Sequence, residues 1–236
     1  RTSFLSMSRV KPANIKLCPA YSVAEAARYL GAKTSTLRSW FHGRKYSQNG
    51  IQRSSRAVLP TTQKKGVPIS FLDLVEAHVL LAIRRGYGIP LQRFRVAMDC
   101  LKEFGEDLHF LAHRNFYHDR RDLFLKLDDK FISLSERGQL VDQEVISEGL
   151  KQITYGNDGY ASRFFPRRFD HQRQETIVLD PLLNYGRPCL ARLGVGTEAI
   201  ANRFFCGEKI ADLAKDYGAN AEEIEEAIRW HEQCES

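Results

Sequence analysis

The sequence predicts a mainly α-helical protein with small β elements: an N-terminal winged helix-turn-helix, a β-containing connector and a C-terminal three-helix, helix-turn-helix-like bundle. Three observations predict it. Between Tyr21 and Arg44, two apolar stripes at helical spacing flank a glycine. Short β-prone runs concentrate between Ile51 and Ile69 and again between Asp122 and Phe165. After Thr197, three more capped helical patterns close the chain. These breaks divide it into an N-terminal arm at 1–18, a winged helix-turn-helix at 19–106, an α/β connector at 107–175 and a helical unit at 176–236.

The first helix starts at Ser22, which forms a capping box with Glu25. Val23, Ala26, Ala27 and Leu30 make its stripe, and Gly31 supplies the left-handed residue that ends it. Thr34 or Ser35 is expected to cap the second helix, with Leu37, Trp40 and Phe41 inward. That leaves Lys33, Ser35, Thr36, Arg38, Ser39 and His42 outward, with Arg44 following. Short hydroxyl donors between cations suit phosphate and base-edge contacts. Residues 51–69 are expected to form a wing carrying Arg53, Arg56, Lys64 and Lys65. Ser70 opens a third helix with the stripe Phe71, Leu74, Val75, His78, Val79 and Ala82. Gly86 to Pro90 breaks it, and a fourth helix runs from about Leu91 to Phe104.

Charge sharpens this reading. Residues 1–66 hold 13 Lys and Arg against a single acid, Glu25, a net of +12 in a chain that is +6 overall. A helix pair in so basic a field points to DNA. No apolar run reaches the roughly 20 residues of a membrane helix. The five cysteines are widely spaced with no CxxC, so neither a disulfide framework nor a zinc finger is expected. No nucleophile–base pair or phosphate loop points to an enzyme, no cofactor is expected, and a cytoplasm is the expected compartment.

In the connector, Asp122 to Leu134 reads as a hairpin, Val145 to Ile153 as a short helix, and Tyr155 to Tyr160 as a turn between strands. His109 and His113, at i, i+4, would share a helix face, but with His118 and Asp119 nearby no acidic base lies between them and no further His or Cys cluster completes a metal site, so they are expected as solvated surface groups. Residues 163–173 gather Arg163, Phe164, Arg167, Arg168, Phe169 and Arg173 around a proline. They read as a basic linker or as an arm that docks on an acidic surface.

In the last unit, Thr197 is expected to cap a helix with Ala199, Ile200, Phe204 and Phe205 inward. Glu208 to Tyr217 forms the next, ended by Gly218. Asn220 caps the last, with Ile224, Ala227, Ile228 and His231 inward. Its glutamates, Glu222, Glu223, Glu225 and Glu226, are expected to make an acidic face. From Ile177 onward the balance is 6 basic to 11 acidic residues, so this unit would repel phosphate.

Two resemblances follow from these motifs. Residues 21 to about 104, with Ala-Ala-x-x-Leu-Gly and Thr-Leu-Arg-x-Trp, resemble the MerR-type winged helix-turn-helix. That resemblance implies a dimeric DNA binder in which Arg38 contacts phosphate. Residues 177–230 resemble a bacterial domain of formerly unknown function common in antitoxin genes. The matching elements are Ile-Val-x-Asp-Pro, Gly-Arg-Pro, Thr-Glu-x-Ile-Ala and Gly-Glu-x-Ile-x-x-Leu-Ala-x-Asp-Tyr-Gly. Ala191 to Gly194 departs from that family's pattern. Together the chain resembles VapB-type antitoxins of the larger two-domain kind. The resemblance implies a homodimeric autorepressor that binds its own operator and restrains a VapC-like ribonuclease toxin of the PIN fold. Such a nuclease holds a divalent cation on carboxylates. An arginine from 163–173, led by Arg167 and Arg168, could pair with them; the acidic last helix could not. The alternative is a MerR-like regulator with no toxin partner.

Overall fold

The computed structural model describes residues 14–59, 61, 66–87, 90–103, 109–114, 148–166 and 175–235. The helix-turn-helix is α1, Val23–Tyr29, and α2, Thr34–His42. Both bonds of the Ser22–Glu25 capping box form, the Ser22 amide donating to Glu25 Oε2 at 2.8 Å and the Glu25 amide to Ser22 Oγ at 3.1 Å. Ala26 and Ala27 are buried, and their small side chains let α1 close on Leu37, Trp40 and Phe41 of α2.

The wing is β1, Arg44–Gln48, paired antiparallel with β2, Ile51–Ser55. It lies seven residues before the expected site, and Asn49 and Gly50 explain why. Both take positive φ, 53° and 75°, in a two-residue turn of the type that matches the strand twist. Gln48 pairs with Ile51, so the register leaves Tyr46 opposite Arg53.

The third helix, α3 (Phe71–Tyr87), was expected to bury one stripe. Instead its first half is enclosed on every side: Phe71 through Ala77, Val79 and Leu80 are all buried. A helix apolar around its whole circumference belongs at the centre of a fold. Some of its polar groups find local partners. Ser70 and Asp73 form a capping box, the Ser70 amide donating to Asp73 Oδ2 at 2.8 Å. Burial lowers the His78 imidazole to about 4, and the neutral ring donates from Nε2 to the Gly149 carbonyl at 2.8 Å. The fourth helix, α4, is Leu91–Glu103, close to expectation.

A short 3-10 turn, Phe110–Ala112, packs its three buried residues on α3. Its flanking His109 is 5% exposed and 3.0 Å from Glu76, so it is a core residue and not a solvated one. His113 is half-buried and stacks edge-on against Tyr160. His118 and Asp119 and the expected hairpin at 122–134 lie outside the described residues. A helical turn spans 148–151. Ile153, expected to end that helix, opens β3 instead. β3, Ile153–Tyr155, pairs with β4, Ala161–Phe164, around the turn expected at Tyr155–Tyr160, whose first residue belongs to β3.

β4 continues the fold into the C-terminal part. Phe164 and Leu179 exchange both backbone hydrogen bonds, at 3.0 and 2.8 Å. Two-residue strands β5, Ile177–Val178, and β6, Cys189–Leu190, pair beneath three helices: α5, Thr197–Phe205; α6, Ile210–Tyr217; and α7, Ala221–Glu235. Gly196 and not Thr197 is the N-cap of α5, and Ala201 takes the inward position expected of Ala199. Phe205, expected inward beside Phe204, is instead 55% exposed. Asn220 caps α7 as expected, accepting from the Glu223 amide at 2.8 Å.

The acidic face of α7 is thinner than the sequence suggests. Glu223 closes the capping box and pairs with Arg192 at 2.9 Å. Glu226 is 3% exposed and pairs with Arg229. Of the four, Glu222 and Glu225 are exposed to solvent. The two halves share one hydrophobic core, from Tyr21 through Phe164 to Trp230. Tyr21, buried at the start of α1, donates its hydroxyl to the Gly186 carbonyl at 2.7 Å. Burial holds that phenol far above its ordinary pKa, so it remains a donor. Arg28 on α1 donates to the Cys234 carbonyl at 3.3 Å on α7.

Candidate nucleic-acid interface

The outward face of α2 carries the predicted set. Leu37, Trp40 and Phe41 are at most 3% exposed, which leaves Ser35 and Arg38 open and Thr36, Ser39 and His42 half-buried at its edges. The N-cap is Lys33, in extended conformation, not Thr34 or Ser35, and no side chain caps the helix. The Thr36 amide donates to the Lys33 carbonyl at 2.9 Å, and the Thr34 and Ser35 amides before it have no side-chain cap, the arrangement that receives a phosphate at a helix N-terminus. Ser39 donates its one hydroxyl proton to the Thr36 carbonyl at 2.7 Å. It can still accept a hydrogen bond from an adenine or cytosine amino group but has no proton left to donate.

Gly43 turns the chain from α2 into the wing. Its φ is +69°, and a Cβ there would lie 2.3 Å from the Ser55 carbonyl oxygen. The Trp40 carbonyl accepts the Val58 and Leu59 amides at 2.7 and 3.1 Å, which clamps the chain after β2 onto the end of α2. Helix and wing are thus held as one rigid unit. Arg44 lies over the Tyr46 ring at 5.1 Å, and Arg53 stands exposed on β2. Arg56, expected on the wing, lies beyond β2 and pairs with Asp99 of α4 at 2.9 Å. Lys64 and Lys65 lie outside the described residues.

Between α2, the wing and the α3–α4 elbow runs a groove of about 540 Å³. Arg38, Arg44, Arg84 and Arg95 converge on it, and no acid lines it among the described residues. Arg84 lies over the Trp40 ring at 5.8 Å, and Arg95 buries its Nε with no hydrogen-bond partner. Sequence reasoning missed both. Arg84 sits in the last turn of α3, where a cation is already explained by the helix dipole. Arg95 falls in a helix whose periodicity does not reveal what it packs beside. Lys16 is the reverse case: a cation of the basic N-terminus that pairs with Asp158 at 2.8 Å on the β3–β4 turn.

Of the residues in the 163–173 arm, Arg163 donates from Nε to Asp180 at 2.9 Å. Phe164 is 0% exposed, with its ring 4.5 Å from that of His78. Phe164 is therefore a core strut of β4, not a surface anchor. Arg167, Arg168, Phe169 and Arg173 lie outside the described residues. No helix among the described residues is long and apolar enough to cross a membrane.

Residues 19–98 match the family described as "Putative DNA-binding HTH domain", and residues 177–230 match that described as "Protein of unknown function (DUF433)". The chain is 29% identical over 227 residues to "Putative antitoxin VapB45" of Mycobacterium tuberculosis (strain ATCC 25618 / H37Rv), covering 89% of this chain and 92% of the relative. It is 24% identical over 213 residues to "Uncharacterized protein Rv2308" of the same strain, with 88% of each covered. Among solved structures, the crystal structure of Rv2018 from Mycobacterium tuberculosis superposes with a TM-score of 0.65 at 25% identity, spanning 89% of this chain and 98% of that one. Along nearly its whole length the chain resembles the VapB-type antitoxins of the larger two-domain kind, a DNA-binding helix-turn-helix domain joined to the antitoxin-associated domain of formerly unknown function.

Proposed function

We propose that this chain is the antitoxin of a type II toxin–antitoxin system: a homodimeric autorepressor that binds its own operator and neutralises a VapC-like PIN-domain ribonuclease, with no catalytic activity of its own. One observation supports the DNA-binding half most strongly, the groove beside α2 where Arg38, Arg44, Arg84 and Arg95 converge and which no acid lines among the described residues. In this reading Lys33, Ser35, Thr36, Arg38, Ser39 and His42 enter the major groove, while Arg44 and Arg53 on the wing, with Lys64 and Lys65 beyond it, meet the flanking backbone. Arg56 serves chiefly to join wing to α4 through Asp99. Residues 19–106 are the reading unit, 107–175 the connector that carries the basic arm, and 176–236 the antitoxin-associated helical unit.

Neutralisation is assigned to Arg167 and Arg168, because a guanidinium pairs bidentately with the carboxylates that hold a nuclease's cation. Phe164 and Arg163, fixed in the core and on Asp180, set the point from which that segment departs. The test is co-expression with the neighbouring nuclease. Alanine at both Arg167 and Arg168 should release growth arrest while operator binding persists. Unchanged neutralisation would remove the arm from the account, and the absence of any nuclease that the wild-type chain restrains would favour a regulator without a toxin.

A further inference from the structure

Asp73 and Glu76 lie three residues apart on α3, so their side chains share one face of the helix. Both are 0% exposed. The Phe110–Ala112 turn brings His109 onto them: its Nδ1 is 3.0 Å from Glu76 Oε2 and 4.0 Å from Asp73 Oδ1. One donor atom from each of the three falls within 4.8 Å of the others.

Hydrogen bonding accounts for only part of this cluster. Asp73 Oδ2 accepts from the Ser70 amide, from Ser70 Oγ and from Thr61 Oγ1. Asp73 Oδ1 is buried, faces His109 and accepts no hydrogen bond. Among the described residues neither carboxylate has a Lys or Arg partner. Two carboxylates against one imidazole leave an uncompensated negative charge in a dry interior, which is costly.

A proton or a cation can neutralise such a site. A proton shared with Glu76 leaves Asp73 Oδ1 without a partner; a cation engages it. One imidazole nitrogen with two carboxylate oxygens is a donor set for a divalent transition ion. Ligand atoms about 2.1 Å from a tetrahedral ion stand about 3.4 Å apart, between the 3.0 and 4.0 Å seen for the two His109 separations. We propose that Asp73, Glu76 and His109 form a buried structural site for a divalent transition metal ion of the zinc class. The ion balances both carboxylates and pins the 109–112 turn to α3, the helix on which the recognition unit rests. Because the cluster is enclosed, the ion enters as the chain folds and leaves slowly.

The test uses the full-length protein, unfolded in urea with EDTA, freed of EDTA, and refolded with and without a graded excess of ZnCl2. Bound metal is measured by elemental analysis after gel filtration, and unfolding by circular dichroism. One zinc per chain is expected. A hundredfold excess over Kd should raise the melting midpoint by roughly 5–10 °C for a chain of this size. Glu76→Gln and His109→Gln should each lose both effects. Cys206→Ser, which removes an exposed thiol, should keep them. In EDTA, Glu76→Gln should be at least as stable as the wild type, since a neutral amide is less costly to bury than a carboxylate. The proposal is overturned if the wild type binds no stoichiometric zinc, or if the Gln variants bind it equally. The wild-type titration decides by itself even where a variant does not fold.

Discussion

Gly43→Ala isolates the joint between recognition helix and wing. The new Cβ would stand 2.3 Å from the Ser55 oxygen and 3.2 Å from both the Ala57 nitrogen and the Arg56 carbonyl carbon. All three are backbone atoms, so no side chain can swing aside. The positive φ adds strain of about 1–3 kcal/mol for any residue with a Cβ. If the wing keeps its place, the clash adds a comparable overpacking cost, about 1–3 kcal/mol. The total is then about 2–6 kcal/mol. If the wing moves instead, stability falls less but Arg44 and Arg53 leave register with α2, and operator affinity should drop by at least about tenfold, the loss of one good contact. Two assays separate the cases: urea unfolding followed by fluorescence of the two tryptophans, and fluorescence anisotropy on an operator fragment. Stability within about 0.5 kcal/mol of wild type, together with unchanged affinity, would refute the rigid joint.

Three further outcomes are expected. Arg84→Ala with Arg95→Ala removes two cations from the groove, so the slope of log K against log salt should become shallower by about 1.8; an unchanged slope would place both outside the interface. Phe164→Ala empties a fully buried position and should cost about 3–5 kcal/mol in chemical denaturation, whereas Arg167→Ala should change stability by less than about 0.5 kcal/mol. Tyr21→Phe deletes the bond to Gly186 and strands a buried carbonyl, at a cost of about 1–3 kcal/mol. The variant should still unfold in one transition if the two halves share their core, and two separated transitions would contradict that.

The parts of the fold legible in the sequence are those whose cause is local. The Ser22–Glu25 box, the Gly31 and Gly218 helix ends, the Asn220 cap and the inward Leu37, Trp40 and Phe41 each rest on a spacing of four residues or fewer, and each appears in the structure. The wing was equally local but misplaced, because the β-prone residues after Ile51 outweighed the Asn49-Gly50 turn that sets the hairpin. What could not be read depends on chain segments far apart. His109 looks like a surface histidine until the 109–112 turn carries it onto Glu76, 33 residues away. Arg84 and Arg95 gain their meaning from Trp40 and the wing. Glu226 and Phe164 look like a surface acid and a docking aromatic until the shared core covers them. Charge counts locate the basic half correctly but assign Lys16 and Arg56 to it, where Asp158 and Asp99 already pair with them.

In the proposed function, α2, its wing and the arginine groove are the DNA-reading surface of an antitoxin whose C-terminal unit does not touch DNA. The most direct measurement is the affinity of the full-length chain for its own promoter fragment across a salt series, repeated with Arg38→Ala, Arg44→Ala and the pair Glu222→Gln, Glu225→Gln. Affinity should fall steeply with salt, each arginine variant should flatten the slope by about 0.9, and the glutamate pair should leave it unchanged. Salt-independent binding, or a slope altered by the glutamate pair and untouched by the arginines, would contradict the account.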